Sequence, residues 1–94
     1  MKINISYSKK ADKFLLKNTS LITEKDVDDL LIKAVKLIYK FENINLDLKR
    51  LKGDLKDYFR IRKGKIRIVF KVIKNEIILI SVEIIDFRGE VYKV

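Results

Sequence analysis

The sequence contains neither cysteine nor histidine among its 94 residues. Without cysteine, the chain can form no disulfide and has no thiolate for nucleophilic chemistry. The two absences together argue against a zinc site, because zinc ions in proteins are held mainly by cysteine and histidine. They also exclude a catalytic triad in which histidine is the base. We therefore expect a protein without a metal ion and without a cofactor.

The sequence also has no long apolar stretch. No run approaches the roughly 18 residues of a membrane-spanning helix, and the N-terminus lacks the apolar segment of a secretory signal peptide. Hydrophobic residues nevertheless make up 48% of the chain, and 94 residues suffice for one modest core. The composition predicts a single domain, residues 1–94, located in the cytoplasm and not associated with a membrane.

Acidic residues are outnumbered by basic ones. The chain has 22 lysines and arginines but only 13 aspartates and glutamates, which gives a formal net charge of +9. The excess is concentrated between Lys49 and Arg67, where nine basic residues accompany two acidic ones. Such an imbalance indicates nucleic acid, an anionic membrane surface or an acidic protein as the partner. A solvated lysine-rich surface is the alternative interpretation.

Two helices are predicted in the first half of the chain, after a short strand at residues 2–7. Ser8 is placed to cap the first helix and Thr23 the second. The second helix has the clearest periodicity, because its apolar residues follow the 3.6-residue repeat over more than four turns. These residues are Val27, Leu30, Leu31, Ala34, Val35, Ile38 and Phe41.

The second half of the chain is predicted to consist of strands, after a polar connection at residues 42–57. The predicted strands cover residues 58–62, 65–73 and 77–85. The order β-α-α-β-β-β predicts an α+β domain, with both helices packed on one face of a twisted, mainly antiparallel sheet. In the last strand we expect Ile78, Ile80, Val82 and Ile84 to face the core. That register requires an odd-length loop or a bulge near residues 74–76.

Residues 58–71 form a predicted β-hairpin that carries its positive charge on one face. A two-residue turn at Lys63 and Gly64 would use glycine for the positive φ that tight hairpin turns need. This turn would oppose two pairs of cations, Arg62 with Lys65 and Arg60 with Arg67. The other face, predicted as core, consists of Phe59, Ile61, Ile66 and Ile68. Opposed like charges destabilise a sheet by up to about 1 kcal/mol per pair, so the pattern predicts an anion-binding face.

Four short motifs follow one another in the second half of the chain. They are Leu51-Lys52-Gly53, Tyr58-Phe59-Arg60-Ile61-Arg62, Lys65-Ile66-Arg67-Ile68-Val69-Phe70-Lys71-Val72 and Arg88-Gly89-Glu90-Val91-Tyr92-Lys93. In this order and at this chain length, they resemble the RelE/ParE superfamily of toxins from type II toxin–antitoxin systems. The resemblance implies a RelE-like fold, which is similar to that of small microbial ribonucleases.

The resemblance is stronger to the RelE branch, whose members cleave messenger RNA in the ribosomal A site. It implies a metal-independent endoribonuclease, an mRNA interferase, that inhibits translation. The implied partners are the ribosome, messenger RNA and a cognate antitoxin protein. Residues that match the catalytic positions of the family are Arg60, Arg62, Arg67, Arg88 and Tyr92. The remaining basic residues of the region are interpreted as RNA contacts, namely Lys49, Arg50, Lys52, Lys56, Lys63 and Lys65.

The chain departs from the best-known RelE branch at Asp86, where that branch has a further arginine. Arginine stays protonated at physiological pH and cannot act as the general base. The base would then be Tyr92, Lys63 or Lys65, or would come from ribosomal RNA or water. Two other functions remain open. One is a ParE-like toxin that binds DNA gyrase without chemistry of its own, and the other is an inactive relative that binds RNA or an antitoxin.

Overall fold

A computed structural model describes residues 2–40, 43–53 and 57–87. Its elements are β1 (Ile3–Tyr7), α1 (Lys9–Lys17), α2 (Glu24–Ile38), β2 (Leu48–Arg50), β3 (Tyr58–Lys63), β4 (Ile66–Lys74) and β5 (Ile78–Phe87). The predicted α+β class, with two helices ahead of the strands of the second half, is confirmed. The sequence analysis missed β2, which lies inside the segment predicted as a connection and has only three residues.

The five strands form one sheet in the order β1-β5-β4-β3-β2. β1 runs parallel to β5, whereas every other neighbouring pair is antiparallel, which confirms the mainly antiparallel sheet. β4 is therefore the central strand, and β2 forms an edge beside β3. This order places the arginines of β3 between Lys49 of β2 and Arg67 of β4.

Side-chain hydrogen bonds begin both helices at the predicted caps. The Ser8 hydroxyl accepts a hydrogen bond of 3.0 Å from the backbone N–H of Ala11. Thr23 and Asp26 form a capping box, in which each side chain accepts a hydrogen bond from the backbone N–H of the other residue. Hydrogen bonds with Thr23 hold the pKa of the Asp26 carboxyl below its ordinary value. The bond from the Thr23 backbone N–H has the larger effect, and the bond with the Thr23 side chain has the smaller one.

We expect Thr23→Ala to lower the free energy of unfolding by about 1 kcal/mol, because the N–H of Asp26 loses its acceptor. Urea denaturation followed by circular dichroism measures this loss. Thr19→Ala, at an exposed position between the two helices, is the matched control and should change stability by less than about 0.5 kcal/mol. Equal losses in the two variants would contradict the capping role.

The core lies between the helices and one face of the sheet. All five residues of the α2 stripe from Val27 to Val35 are buried as predicted, while Ile38 is partly buried and packs against the core. Phe41 lies outside the described residues. The sheet contributes Ile61, Ile68, Phe70, Ile78, Ile80, Val82 and Ile85. No helix in the described part of the chain is long and apolar enough to cross a membrane.

The hairpin between β3 and β4 turns one residue later than predicted. Lys63 pairs with Ile66, so the two-residue loop consists of Gly64 and Lys65. Gly64 has a φ of 58° and occupies the first loop position, as in a type II′ turn. The predicted pairs were therefore wrong by two residues, and Arg62 lies opposite Arg67. A shift of two residues leaves every side chain on its predicted face, and Phe59, Ile61, Ile66 and Ile68 are buried.

The register of β5 is set by a three-residue loop and a separate bulge. Because Lys74 pairs with Ile78, the loop contains residues 75–77, which confirms the predicted odd length. The bulge lies further along, where Glu83 is an additional residue of β5. After this additional residue, the side chains of β5 alternate between the two faces in the opposite sense to the prediction. The prediction that Ile84 faces the core was therefore wrong. Ile85 faces the core instead, with 1% of its surface exposed.

Candidate anion-binding site

A cavity of about 330 Å³ lies on the side of the sheet opposite the helices. β2, β3, β4 and the residues after β2 contribute its walls. Six of the seven residues that line it are basic, and the seventh is Leu51. The basic residues are Lys49, Arg50, Lys52, Arg60, Arg62 and Arg67. Below, this cavity with its six basic residues is called the basic cavity.

Cross-strand pairing brings these cations together. Lys49 of β2 pairs with Arg60 of β3, and Arg62 of β3 pairs with Arg67 of β4. Directly opposed residues of antiparallel strands have their Cβ atoms about 4.5–5.5 Å apart. Each pair therefore holds two positive charges close together on one face, and an anion placed between them would relieve the repulsion. On the far side of β4, Asp86 lies opposite Arg67.

Arg50 lines the basic cavity at the sheet edge. Its guanidinium lies over the ring of Phe59, with 4.9 Å between the guanidinium carbon and the ring centroid. A cation above an aromatic face is attracted by the negative potential of the ring. Because Phe59 belongs to the core on the helix side of the sheet, the guanidinium of Arg50 lies at the edge of β2, and Arg50 contributes to the cavity wall as a residue of that edge strand.

Asp47 is the residue of this site that the sequence analysis did not identify. Its carboxylate lies between two arginines of β3. Oδ1 accepts a hydrogen bond of 2.9 Å from Nη2 of Arg60, and Oδ2 lies 3.5 Å from Nε of Arg62. The backbone carbonyl of Asp47 also accepts a hydrogen bond of 3.0 Å from the N–H of Arg62. A signal was present, since Leu46 to Lys49 alternates apolar and polar residues as a strand does.

The two arginines differ in burial. The side chain of Arg60 is 7% exposed and that of Arg62 is 33% exposed, whereas the Asp47 side chain is 50% exposed. Among the described residues, Nε of Arg60 and Nε of Arg62 are buried without a hydrogen-bond partner. The 3.5 Å contact of Arg62 is thus an ion pair that lacks hydrogen-bond geometry. Buried donors without acceptors are costly, and an anion in the cavity would satisfy that of the more exposed Arg62.

The structure brings together six of the predicted site residues and leaves two outside the basic cavity. Lys63 lies on the helix side of the sheet, where it lines a second cavity together with Asp26 and Asp29 of α2. Lys65 is exposed in the hairpin loop. Three further predicted residues lie outside the described part of the chain, and their roles stay predictions. They are Lys56, Arg88 and Tyr92.

The chemistry of the basic cavity is that of binding negative charge. Guanidinium groups are planar, stay protonated and can donate two parallel hydrogen bonds to the oxygens of a phosphate. Lysine adds compact positive charge at the rim. Such groups can hold a phosphodiester and can also stabilise additional charge that develops on its oxygens during a reaction.

Comparison with solved structures identifies the fold. No family model matches the sequence, and no curated protein matches it. Among solved structures, the YoeB/ParE toxin from Agrobacterium tumefaciens is similar with a TM-score of 0.66 and 22% identity, covering 94% of this chain and 99% of that chain. The YoeB dimer from Staphylococcus aureus has a TM-score of 0.61 and 21% identity, with the same coverage of 94% and 99%.

The E. coli DinJ–YafQ toxin–antitoxin complex also contains a similar chain. Its TM-score is 0.65 and its identity is 16%, and the match covers 99% of this chain and 100% of that chain. The matches therefore extend over almost the whole of both partners in each comparison. The chain has the fold of the toxins in these toxin–antitoxin systems, which is the fold that its resemblance to the RelE/ParE superfamily predicts.

Proposed function

We propose that this protein is the toxin of a type II toxin–antitoxin pair and that it cleaves messenger RNA in the ribosomal A site. The observation that carries the proposal is the basic cavity, which six cationic residues line and in which Lys49, Arg60, Arg62 and Arg67 are paired across neighbouring strands on the open face of the sheet. RNA presents one negative charge per phosphate, and clustered lysine and arginine side chains supply most of the affinity for such a backbone. The toxin-type fold supports the same function.

In the proposed reaction, the 2′-hydroxyl of one nucleotide attacks the adjacent phosphorus. The hydroxyl proton passes to a base, the bond to the 5′-oxygen of the next nucleotide breaks, and that oxygen takes up a proton. The products are a 2′,3′-cyclic phosphate and a free 5′-hydroxyl. Negative charge accumulates on the non-bridging phosphate oxygens in the transition state, which is where preorganised donors accelerate a reaction most.

The side chains of the basic cavity have distinct parts in this mechanism. Arg62 and Arg67, opposed across β3 and β4, hold the non-bridging oxygens of the reacting phosphate. Lys49 and Lys52 neutralise neighbouring phosphates at the rim. Arg60 is too deeply buried, at 7% exposure, to be the first contact of a ligand, and instead holds the Asp47 carboxylate. Two residues outside the described part of the chain complete the proposal, Arg88 as a further positive charge beside the phosphate and Tyr92 as a stacking partner of the nucleotide.

A cognate antitoxin is the proposed regulatory partner. The DinJ–YafQ complex shows that a chain of this fold is found together with an antitoxin. An antitoxin that covers or distorts the face with the basic cavity would block access of RNA. The ribosome is the other proposed partner, because the concentration of positive charge between Lys49 and Arg67 suits an RNA surface.

Primer extension on a defined messenger RNA in a translating extract tests the nuclease proposal. We expect cuts within A-site codons, and we expect few in the same RNA without ribosomes, because positioning of the RNA supplies much of the rate. A messenger RNA that lacks its start codon is the control for ribosome dependence. Absence of cuts with a protein shown to be folded would reject the nuclease.

A gyrase supercoiling assay on the same protein tests the ParE-like alternative that the sequence resemblance leaves open. Inhibition of supercoiling without RNA cleavage would assign a ParE-like activity. If the protein neither cleaves RNA nor inhibits gyrase, it is an inactive relative that retains the fold.

A further inference from the structure

We propose that the carboxylate of Asp47 is an internal anion that occupies part of the phosphate site. In the free protein it lies against Arg62, and a phosphate of bound RNA takes its place there. The inference rests on the proposed function only in its choice of RNA as the ligand. Asp47 is therefore a positioning residue, which acts on the ligand through Arg62.

The carboxylate of Asp47 makes two contacts of unequal strength, and a ligand displaces the carboxylate from the weaker one. The bond to Arg60 is 2.9 Å long and reaches a side chain that is only 7% exposed. The contact with Arg62 is 3.5 Å long, lacks hydrogen-bond geometry and involves a side chain that is 33% exposed. A short, buried, charge-assisted hydrogen bond is stronger than a long, half-open ion pair. A competing anion will therefore displace the carboxylate from Arg62 and not from Arg60.

The ion pair between Arg60 and Asp47 is also costly to separate. Removing one member of a buried ion pair leaves an uncompensated charge in a medium that solvates it poorly. The backbone adds a second constraint, since the carbonyl of Asp47 stays bonded to the N–H of Arg62 at 3.0 Å. The carboxylate thus remains beside the cavity after displacement and returns to Arg62 when the ligand leaves.

A phosphodiester gains more from this position than the carboxylate does. Arg62 lies opposite Arg67, and a phosphate between them can accept hydrogen bonds from both guanidinium groups. Lys49 and Lys52 contribute further attraction to the neighbouring phosphates. The expected consequence is that Asp47 lowers the affinity for isolated anions, while RNA that engages the whole cavity still binds.

Asp47→Asn tests the inference, because asparagine keeps an oxygen that can accept from Arg60 but loses the charge that competes with phosphate. We expect the variant to bind a short single-stranded RNA, made uncleavable by 2′-O-methyl groups, about two- to fivefold more tightly in fluorescence anisotropy, the range for an exposed ion pair. Asp57→Asn makes the same charge change at an exposed residue that does not line the basic cavity and should have a smaller effect. Equal or weaker binding by Asp47→Asn would overturn the inference.

A second comparison separates competition at Arg62 from a general change of charge. Arg62→Gln and the double variant Asp47→Asn, Arg62→Gln should bind the RNA with equal affinity, because Asp47 acts through Arg62. If the gain from Asp47→Asn persists without Arg62, Asp47 affects RNA through the overall field of the protein, and the inference is wrong.

A measurement on the unaltered protein keeps the inference testable if Asp47→Asn does not fold. The Nε–Hε resonances of the arginines are followed by NMR while the uncleavable RNA is added. We expect the Arg62 signal to move and the Arg60 signal to stay, since Arg60 keeps its carboxylate. Movement of Arg60, or no movement of Arg62 at saturation, would overturn the inference. These readouts need no cleavage, so a failure of the proposed nuclease in the translating extract is distinguishable from a failure of this inference.

Discussion

Replacing Leu31 with alanine lowers the free energy of unfolding by about 2–5 kcal/mol, the usual range for truncating a buried leucine. Leu31 lies in the middle of α2, has no exposed surface and belongs to the core between the helices and the sheet. The loss has two parts, the transfer free energy of the deleted carbons and the cost of the cavity that the rigid sheet cannot close. For a domain whose total stability is about 5–15 kcal/mol, this is a large fraction. Urea denaturation followed by circular dichroism measures it.

Leu16→Ala is the matched control, because the same atoms are deleted from a helix at a side chain that is 77% exposed. Alanine favours the helix slightly more than leucine at both positions, so the propensity difference cancels in the comparison. We expect Leu16→Ala to change the unfolding free energy by less than about 0.5 kcal/mol. Similar losses in the two variants would mean that α2 does not pack on the sheet as described.

The helices could be predicted from the sequence because their signals are local. Ser8 and Thr23 mark the starts through bonds to residues three positions further along the chain. The stripe on α2 repeats over several turns, which is long enough to exclude other periods. The strand β2 has only a short signal, the alternation from Leu46 to Lys49, and its three residues are defined by pairing with β3.

The register of the strands could be predicted only in part. A glycine next to a lysine fits a two-residue turn in either loop position, and the local sequence does not decide between them. The face of each β3 and β4 side chain was nevertheless correct, since the error was an even number of residues. The bulge at Glu83 depends on how β5 packs against β4, which no short stretch of sequence specifies.

The basic cavity followed from the clustering of charge, but its composition required the fold. Lys63 was grouped with the RNA contacts because of its charge, although alternation with Arg62 already places it on the helix side. Asp47 and Arg60 are 13 positions apart in the sequence and meet because the chain before β2 runs beside β3. Once β2 is known, the position of Asp47 next to Arg62 follows from the strand pairing.

Replacing Arg67 with alanine reduces the rate of messenger RNA cleavage by about 10²–10³-fold, the cost of removing one preorganised donor from a charged transition state. Arg67 lies on the central strand β4, lines the basic cavity and faces Arg62, so its guanidinium is held where phosphate charge would accumulate. Arg67→Lys keeps the charge but loses the planar pair of donors, and we expect an intermediate rate. Single-turnover primer extension in the translating extract measures all three proteins.

Lys13→Ala provides the control, because it removes one positive charge at an exposed position of α1, on the helix side of the sheet. The loss of net charge is the same as in Arg67→Ala, so any weakening of ribosome binding through the overall field is shared between the two variants. Cleavage that falls only in Arg67→Ala would therefore locate the transition-state contact at β4. If Arg67→Ala cleaves at the rate of the unaltered protein while circular dichroism shows it folded, the reacting phosphate does not lie between the opposed arginines.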